Sequence, residues 1–287
     1  MYFNIFKKIK IFFTMLLFIP LLCNAFEINN QEIDNKLLEQ KKEKILKIFH
    51  QALEDFNISK NSITIKFVTI KNKEAAANAN DLIKLIRINL NHFSNDEFNN
   101  EEFEAYWKFT AYHEVGHLVD KPVRKLLAIN LISLFLIDNG LELIHKLLKP
   151  IIEIKKFKNI IIFLLALKLS YKLSYENVNL LENMEHRANT LACEKLIEKK
   201  DIIPIIYSLI SLRNIVFIGS YKHLKDGAHN YYDQFFRMES MLRNHYGFEI
   251  IYEDNLILKN SKQKIIERKV TFKKDGIEYS AKKQFIS

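Results

Sequence analysis

Only 6 glycines and 4 prolines punctuate these 287 residues. So few chain breakers disfavour a sandwich of many short strands and favour long helices joined by few turns. With 48% hydrophobic and 27% charged residues, the chain has ample apolar material for a core. That balance excludes a wholly disordered chain, a collagen-like repeat and a small disulfide scaffold. The expected class is α+β and predominantly helical.

Residues 1–25 read as a secretory signal peptide. Lys7, Lys8 and Lys10 supply a positive start, Ile11 to Leu22 an apolar stretch, and Cys23-Asn24-Ala25 small residues suited to a cleavage site. The stretch falls short of the about 20 apolar residues that a membrane span needs. An uncleaved anchor is the alternative. The expected location is exported, periplasmic or extracellular, with membrane association left open.

Cleavage after Ala25 leaves Cys193 as the one cysteine, so no intrachain disulfide forms, and its apolar helical context reads as core. The formal charge of +9 loses three lysines with the signal. The other basic residues lie in mixed-sign stretches such as Lys41-Lys42-Glu43-Lys44, which read as solvated helix faces. Without basic residues interleaved with aromatics, no nucleic-acid partner is expected.

Along the mature chain, Leu37, Leu38, Ile45, Ile48, Phe49 and Leu53 recur at helical spacing within 30–56. Ser62 to Ile70 alternates and is β-branched, as a strand requires. A polar, alanine-rich loop is expected over Lys71 to Asp81. Ile86, Ile88 and Leu90 then mark a second strand over 85–91. Asn99 and Glu102 form a capping-box pattern opening a helix that ends before Pro122.

The insert 123–172 holds two apolar runs, Leu126 to Ile137 and Ile160 to Leu167, each below spanning length. A buried helical hairpin and a membrane-dipping hairpin both fit. Helices follow over 178–199 and 201–217. In the tail, Ile265 to Phe272 and Ile277 to Ser280 flank Lys274-Asp275-Gly276, a hairpin signal.

The motif that names a chemistry is His113-Glu114-Val115-Gly116-His117, an H-E-x-x-H pattern inside a helix. A separation of four residues places both imidazoles on one face, where they can grip a single Zn²⁺. Glu114, beside the ion, is placed to take a proton from water that the metal acidifies to a pKa of about 7. A catalytic zinc needs a third protein ligand. Asp120 and Val123 stand where the metzincin extension needs Gly and His, so the third donor comes from further on. Glu185, in Glu185-His186-Arg187-Ala188-Asn189, is the best candidate, and Glu182, one turn earlier, is its competitor. His186 points away from its neighbour's face. Asp120 reads equally as a brace for a histidine or as a helix-end contact, and Tyr112 as core or cleft lining.

These residues resemble the signature of the HtpX-like and CAAX prenyl protease-like zinc metallopeptidases, a gluzincin branch. In that family H-E-x-x-H is followed by E-x-x-A-D on a second helix. His113, Glu114, His117, Glu185 and Ala188 match, and Asn189 replaces the Asp. Ala75-Ala76-Ala77-Asn78-Ala79 is similar to the family's Asn-Ala segment, which leads into an edge strand that holds substrate. The insert 123–172 is similar to the hydrophobic hairpin of membrane members. The resemblance covers about residues 60–200.

It implies a gluzincin-type core with a small antiparallel sheet and a hydrophobic helical hairpin. Asn189 keeps a hydrogen bond to a ligating imidazole but lacks the carboxylate charge, so weaker zinc retention or a lower rate is expected. The family's His-Pro segment with a later Arg has its nearest match in His229 and Arg237, with Asn230 in place of the proline. His229 is then a candidate oxyanion or substrate contact, and Arg237 a structural ion pair. Tyr231 and Tyr232 are further oxyanion-donor candidates.

The expectation is therefore an exported zinc endopeptidase. Residues 26–247 form its catalytic domain and 248–287 a β-rich tail. His113, His117 and Glu185 hold Zn²⁺, Glu114 is the base, and a protein or peptide substrate lies along the strand 85–91. The rival readings are a non-catalytic metal-binding or chaperone-like protein on a peptidase fold, and a membrane-associated quality-control factor contacting lipid through 123–172. The sequence leaves open the oligomeric state and whether 26–60 acts as a propeptide.

Overall fold

A computed structural model describes residues 36–69, 76–92, 100–121, 182–218, 231–260 and 263–286, with Arg124, Lys125 and Ala128. Residues 1–25, read above as a signal peptide, the insert 123–172 apart from those three residues, and His229 lie outside the described residues. The chain divides into two compact units, Met1–Asn29 with Val123–Leu180 and Asn30–Pro122 with Leu181–Ser287. The elements below belong to the second. They comprise five helices and two three-stranded sheets, an α+β architecture. No helix among the described residues is long and apolar enough to cross a membrane.

Helix α1 (Lys36–Asp55) buries Ile45, Phe49, Ala52 and Leu53, which recur every three to four residues, while Lys47 pairs with Glu43 on its outer face. Each large apolar side chain so buried contributes about 1.5–3 kcal/mol. Helix α2 (Asn100–Asp120) is the central one. It is apolar on most sides, burying Phe103, Trp107, Ala111, Val115 and Leu118, and it packs against α1, the strand Ala77–Asn80 and the helix Ile203–Ile218. It stops at Lys121, which adopts φ 54° and donates its N–H to the His117 carbonyl at 3.0 Å. Pro122 follows.

Helix α3 (182–198) buries Met184, Ala188, Ala192 and Leu196 on a single stripe. Helix α4 (Ile203–Ile218) is buried nearly all round through Ile205, Ile206, Leu209 and Ile210. Helix α5 (Tyr231–Asn244) lays Phe235, Met238 and Leu242 on the core.

The first sheet consists of β1 (Thr64–Val68), β2 (Ala77–Asn80) and β3 (Leu85–Asn89) in the order β1-β3-β2. It corrects three expectations. Residues 77–80, expected in a loop, form a strand antiparallel to β3. β1 runs parallel to β3, so this sheet is mixed rather than antiparallel. β3 is its centre, with both edges paired, so no peptide can add along the strand 85–91; the edge on that side is β2. The β2–β3 turn is fixed by the Asn80 side chain, whose Oδ1 accepts from the N–H groups of Leu82 and Ile83 at 3.0 and 3.2 Å.

The second sheet, β4 (Glu249–Asn260), β5 (Gln263–Lys274) and β6 (Ile277–Ile286), is antiparallel throughout. Asp275 and Gly276 both take positive φ, the type I′ geometry of a two-residue hairpin. Val270, Phe272 and Ala281 are buried, and β5 and β6 pack on α4. The opposite face carries cross-strand pairs, Lys269 with Glu253 at 3.3 Å and Lys273 with Glu278 at 3.4 Å.

Candidate metal centre

Two helices build the site, and the small residues where they cross decide that they can. A Cβ at Gly116 would lie 3.1 Å from the Ala188 carbonyl oxygen and 3.3 Å from its Cα. Glycine at 116 and alanine at 188 therefore let the α2 and α3 backbones approach closely enough for one to deliver a carboxylate onto the other's imidazoles.

The outcome is a triangle of donors. His113 Nε2 lies 3.1 Å from His117 Nε2 and 3.2 Å from Glu185 Oε2, and His117 Nε2 lies 3.4 Å from Glu185 Oε1. Three ligands at one tetrahedral ion, each about 2.0–2.2 Å from it, stand about 3.3–3.6 Å apart. The set fits a divalent cation in chemistry and nearly in span. His113, His117 and Glu185 thus form a cluster that could hold a metal ion. Glu182 is described and stands outside this cluster, as does His186.

Charge in the metal-free protein is arranged accordingly. Burial works against a charged His113, but the Glu185 carboxylate outweighs it and, with Glu114 and Asn189, pushes the imidazole up to about 9. Burial likewise opposes ionisation of Glu185, yet the two imidazoles hold its carboxyl well below the usual range. A cation in place of the proton satisfies both groups, which is the linkage between metal uptake and proton release. His113 Nδ1 lies 2.8 Å from Asn189 Oδ1, a contact that settles which ring nitrogen faces the triangle.

Glu114 is only 7% exposed. Burial raises its pKa and the Glu185 carboxylate adds to that, while the two imidazoles and a hydrogen bond from the Ala79 backbone N–H lower it. That N–H is available because of register. Asn89 N donates to Ala76 O at 2.8 Å, so pairs 76/89 and 78/87 exchange the ladder bonds, and the polar groups of Ala77 and Ala79 point away from β3. Among the described residues, the edge of β2 that faces away from β3 is thus unpaired by another strand and is turned toward the α2 glutamate.

The neighbouring candidates fall into place around this. Asp120 is an ion-pair partner of Arg187, tying the end of α2 to α3, rather than a solvent contact. Arg237 pairs with Asp233 at 2.6 Å and donates to Asn183 Oδ1 at 3.1 Å, the structural role expected of it. Tyr112 does not line a cleft: it is buried, and its hydroxyl donates to Asp55, which also accepts from Lys199 at 2.6 Å. Tyr232 is exposed. Tyr231 lies close enough to Tyr106 to act on its hydroxyl, whose pKa is raised first by burial and then by Glu114. Cys193 is a buried thiol, pushed up by desolvation, consistent with core.

Sequence reasoning missed the Ala79 donor and the Gly116–Ala188 approach. The glycine between the two histidines and the alanine three residues after Glu185 were the available signals. Comparison with protein-family models, with curated proteins and with solved structures returns no match.

Proposed function

We propose that this chain is a zinc-dependent endopeptidase with a gluzincin-type core, in which His113, His117 and Glu185 hold the ion. The observation that carries the reading is the convergence of a second-helix carboxylate on the imidazole pair, with a buried glutamate alongside. Two imidazoles with one carboxylate and an adjacent base is the donor set of hydrolytic zinc. When bound, zinc supplies Lewis-acid polarisation of a carbonyl and lowers the pKa of water to about 7.

The chain's own groups do the rest. Glu114, kept basic by burial and oriented by the Ala79 N–H, takes the proton of the attacking water and hands it to the departing amine nitrogen. An extended peptide adding to the β2 edge pairs with the outward groups of Ala77 and brings its backbone past Ala79 to Glu114. Export, read from residues 1–25, supplies the setting.

Glu114→Gln tests this directly. Zinc content should stay stoichiometric while hydrolysis of an unstructured protein falls by about 10²–10⁴-fold. Undiminished hydrolysis in that variant would remove Glu114 as the base. A second reading, a metal-binding protein without turnover, is favoured by the neutral partner at 189; stoichiometric zinc with no cleavage by the unaltered chain would select it.

A further inference from the structure

The turn joining β2 to β3 places its residues against the usual order. Its acid, Asp81, is buried, only 4% exposed, while the two apolar residues that follow, Leu82 and Ile83, are 47% and 57% exposed. The turn is firmly built. Asn80 Oδ1 accepts from the N–H groups of both apolar residues, and the Lys84 carbonyl accepts from the Thr64 N–H at 2.9 Å, which ties the turn to the start of β1. Two large neighbouring apolar side chains are thus held out in water by a fixed backbone, which is the mark of a contact surface and not of a core.

The charge around them is of one sign. Strands β1, β2 and β3 with this turn carry Lys66, Lys84 and Arg87, and Asp81 is their acid. Lys84, the last residue of the turn, is exposed, and so is Lys66, which stands beside Arg87 in the β1–β3 register. Like charges side by side do nothing for strand pairing. An exposed turn with apolar side chains and neighbouring cations is complementary to a soft surface that is anionic outside and apolar beneath.

We infer that the β2–β3 turn is a lipid-contact site: Leu82 and Ile83 enter the interfacial layer of an anionic phospholipid bilayer, while Lys84 and Lys66 meet its phosphates. The lysine stems lie along the apolar layer and their ammonium groups stay in the headgroups. This surface is separate in sequence from the apolar insert 123–172, and the inference requires nothing of the metal site.

The test reads the turn itself, so that binding through another segment does not count. In a Cys23→Ser background of the full chain, Cys193 being buried, an environment-sensitive fluorophore is attached at Ile83→Cys and, for comparison, at Lys47→Cys on the outer face of α1. Vesicles are phosphatidylcholine alone or equal parts of phosphatidylcholine and phosphatidylglycerol. The probe at 83 should brighten and shift to the blue on anionic vesicles, and spin-labelled lipid should quench it, while the probe at 47 stays as in buffer.

Leu82→Ser should raise the lipid needed for half of that response by about 10-fold. Lys66→Gln and Lys84→Gln should each raise it by about 5-fold at low salt, and by less as salt is added. These side chains are exposed, so the variants should melt as the unaltered chain does. An unresponsive probe at 83 overturns the inference, even where the chain sediments with vesicles. So do an equal response to both vesicle types and a half-response that neither lysine variant moves. A probe that ignores vesicles and responds to an unstructured protein would assign the turn to a polypeptide instead.

Discussion

The α2–α3 crossing and the α4–sheet packing solve opposite problems in one unit. Where α2 meets α3, the contact is made by the smallest residues, Gly116 and Ala188, and what the approach positions is polar: two imidazoles, two carboxylates and an amide. Where β5 and β6 meet α4, the sheet buries apolar side chains such as Phe272 and Val270, and charge is left on the far face. The first region spends close packing on fixing polar atoms, the second on removing apolar area from water. Stability and site geometry should therefore respond to different substitutions.

The largest separation is expected at Phe272→Ala. Emptying this fully buried site should cost about 3–5 kcal/mol in urea unfolding. Zinc affinity of the folded fraction should stay as it was, and a parallel loss would mean that the two regions form one energetic unit. Gly116→Ala inverts the pattern. Its methyl meets backbone, not a movable side-chain end, so a cost of about 1–3 kcal/mol should come with a measurable loss of zinc affinity as Glu185 is pushed from the imidazoles.

Asp55→Asn acts at the support of the site. Burial raises the Asp55 carboxyl, but hydrogen bonds from Lys199, Tyr112 and Gln51 win and hold it below its ordinary value. A carboxyl depressed in the folded state stabilises fully above its unfolded pKa of about 3.9, and that contribution is lost as pH falls through the folded value. This contribution in the unaltered chain should thus fall away as the pH drops below about 4. The Asn variant should start about 1–2 kcal/mol lower at neutral pH and respond less to acid in denaturant midpoints. Smallest of all, Lys269→Ala on the solvated sheet face should shift the urea midpoint by about 0–1 kcal/mol, diminishing with salt.

What pattern alone could locate was the part governed by short-range periodicity. Four-residue spacing put His113 and His117 on one face and Glu185 a turn before Asn189, and all four meet. The apolar repeat of Ile45, Phe49 and Leu53 yielded α1, and Asp275-Gly276 yielded the β5–β6 turn. Strand β2 was hidden because Ala77-Asn78-Ala79-Asn80 has poor strand propensity. Its extended form follows from pairing with β3 and from the Ala79 bond to Glu114, which are tertiary facts. Helix α5 went unread although Phe235, Met238 and Leu242 recur at helical spacing, and β4 was not singled out within the tail expected to be β-rich because Glu253-Asp254-Asn255 interrupts its apolar pattern. Tyr112 lay beside the motif but faces Asp55, a partner fifty-seven positions earlier that no local pattern indicates.

That last contact bears on how the molecule could mature. The end of α1 is fastened through Asp55 both to the residue preceding His113 and to Lys199, just beyond α3, while Ile45, Phe49 and Leu53 sit inside the protein. Proteolytic trimming that reached into 36–55 would unroof the hydrophobic interior and unfasten together both helices that carry the candidate metal ligands. A processing cut that leaves this fold intact falls outside this helix, which is a permanent girder of the unit and not a detachable guard.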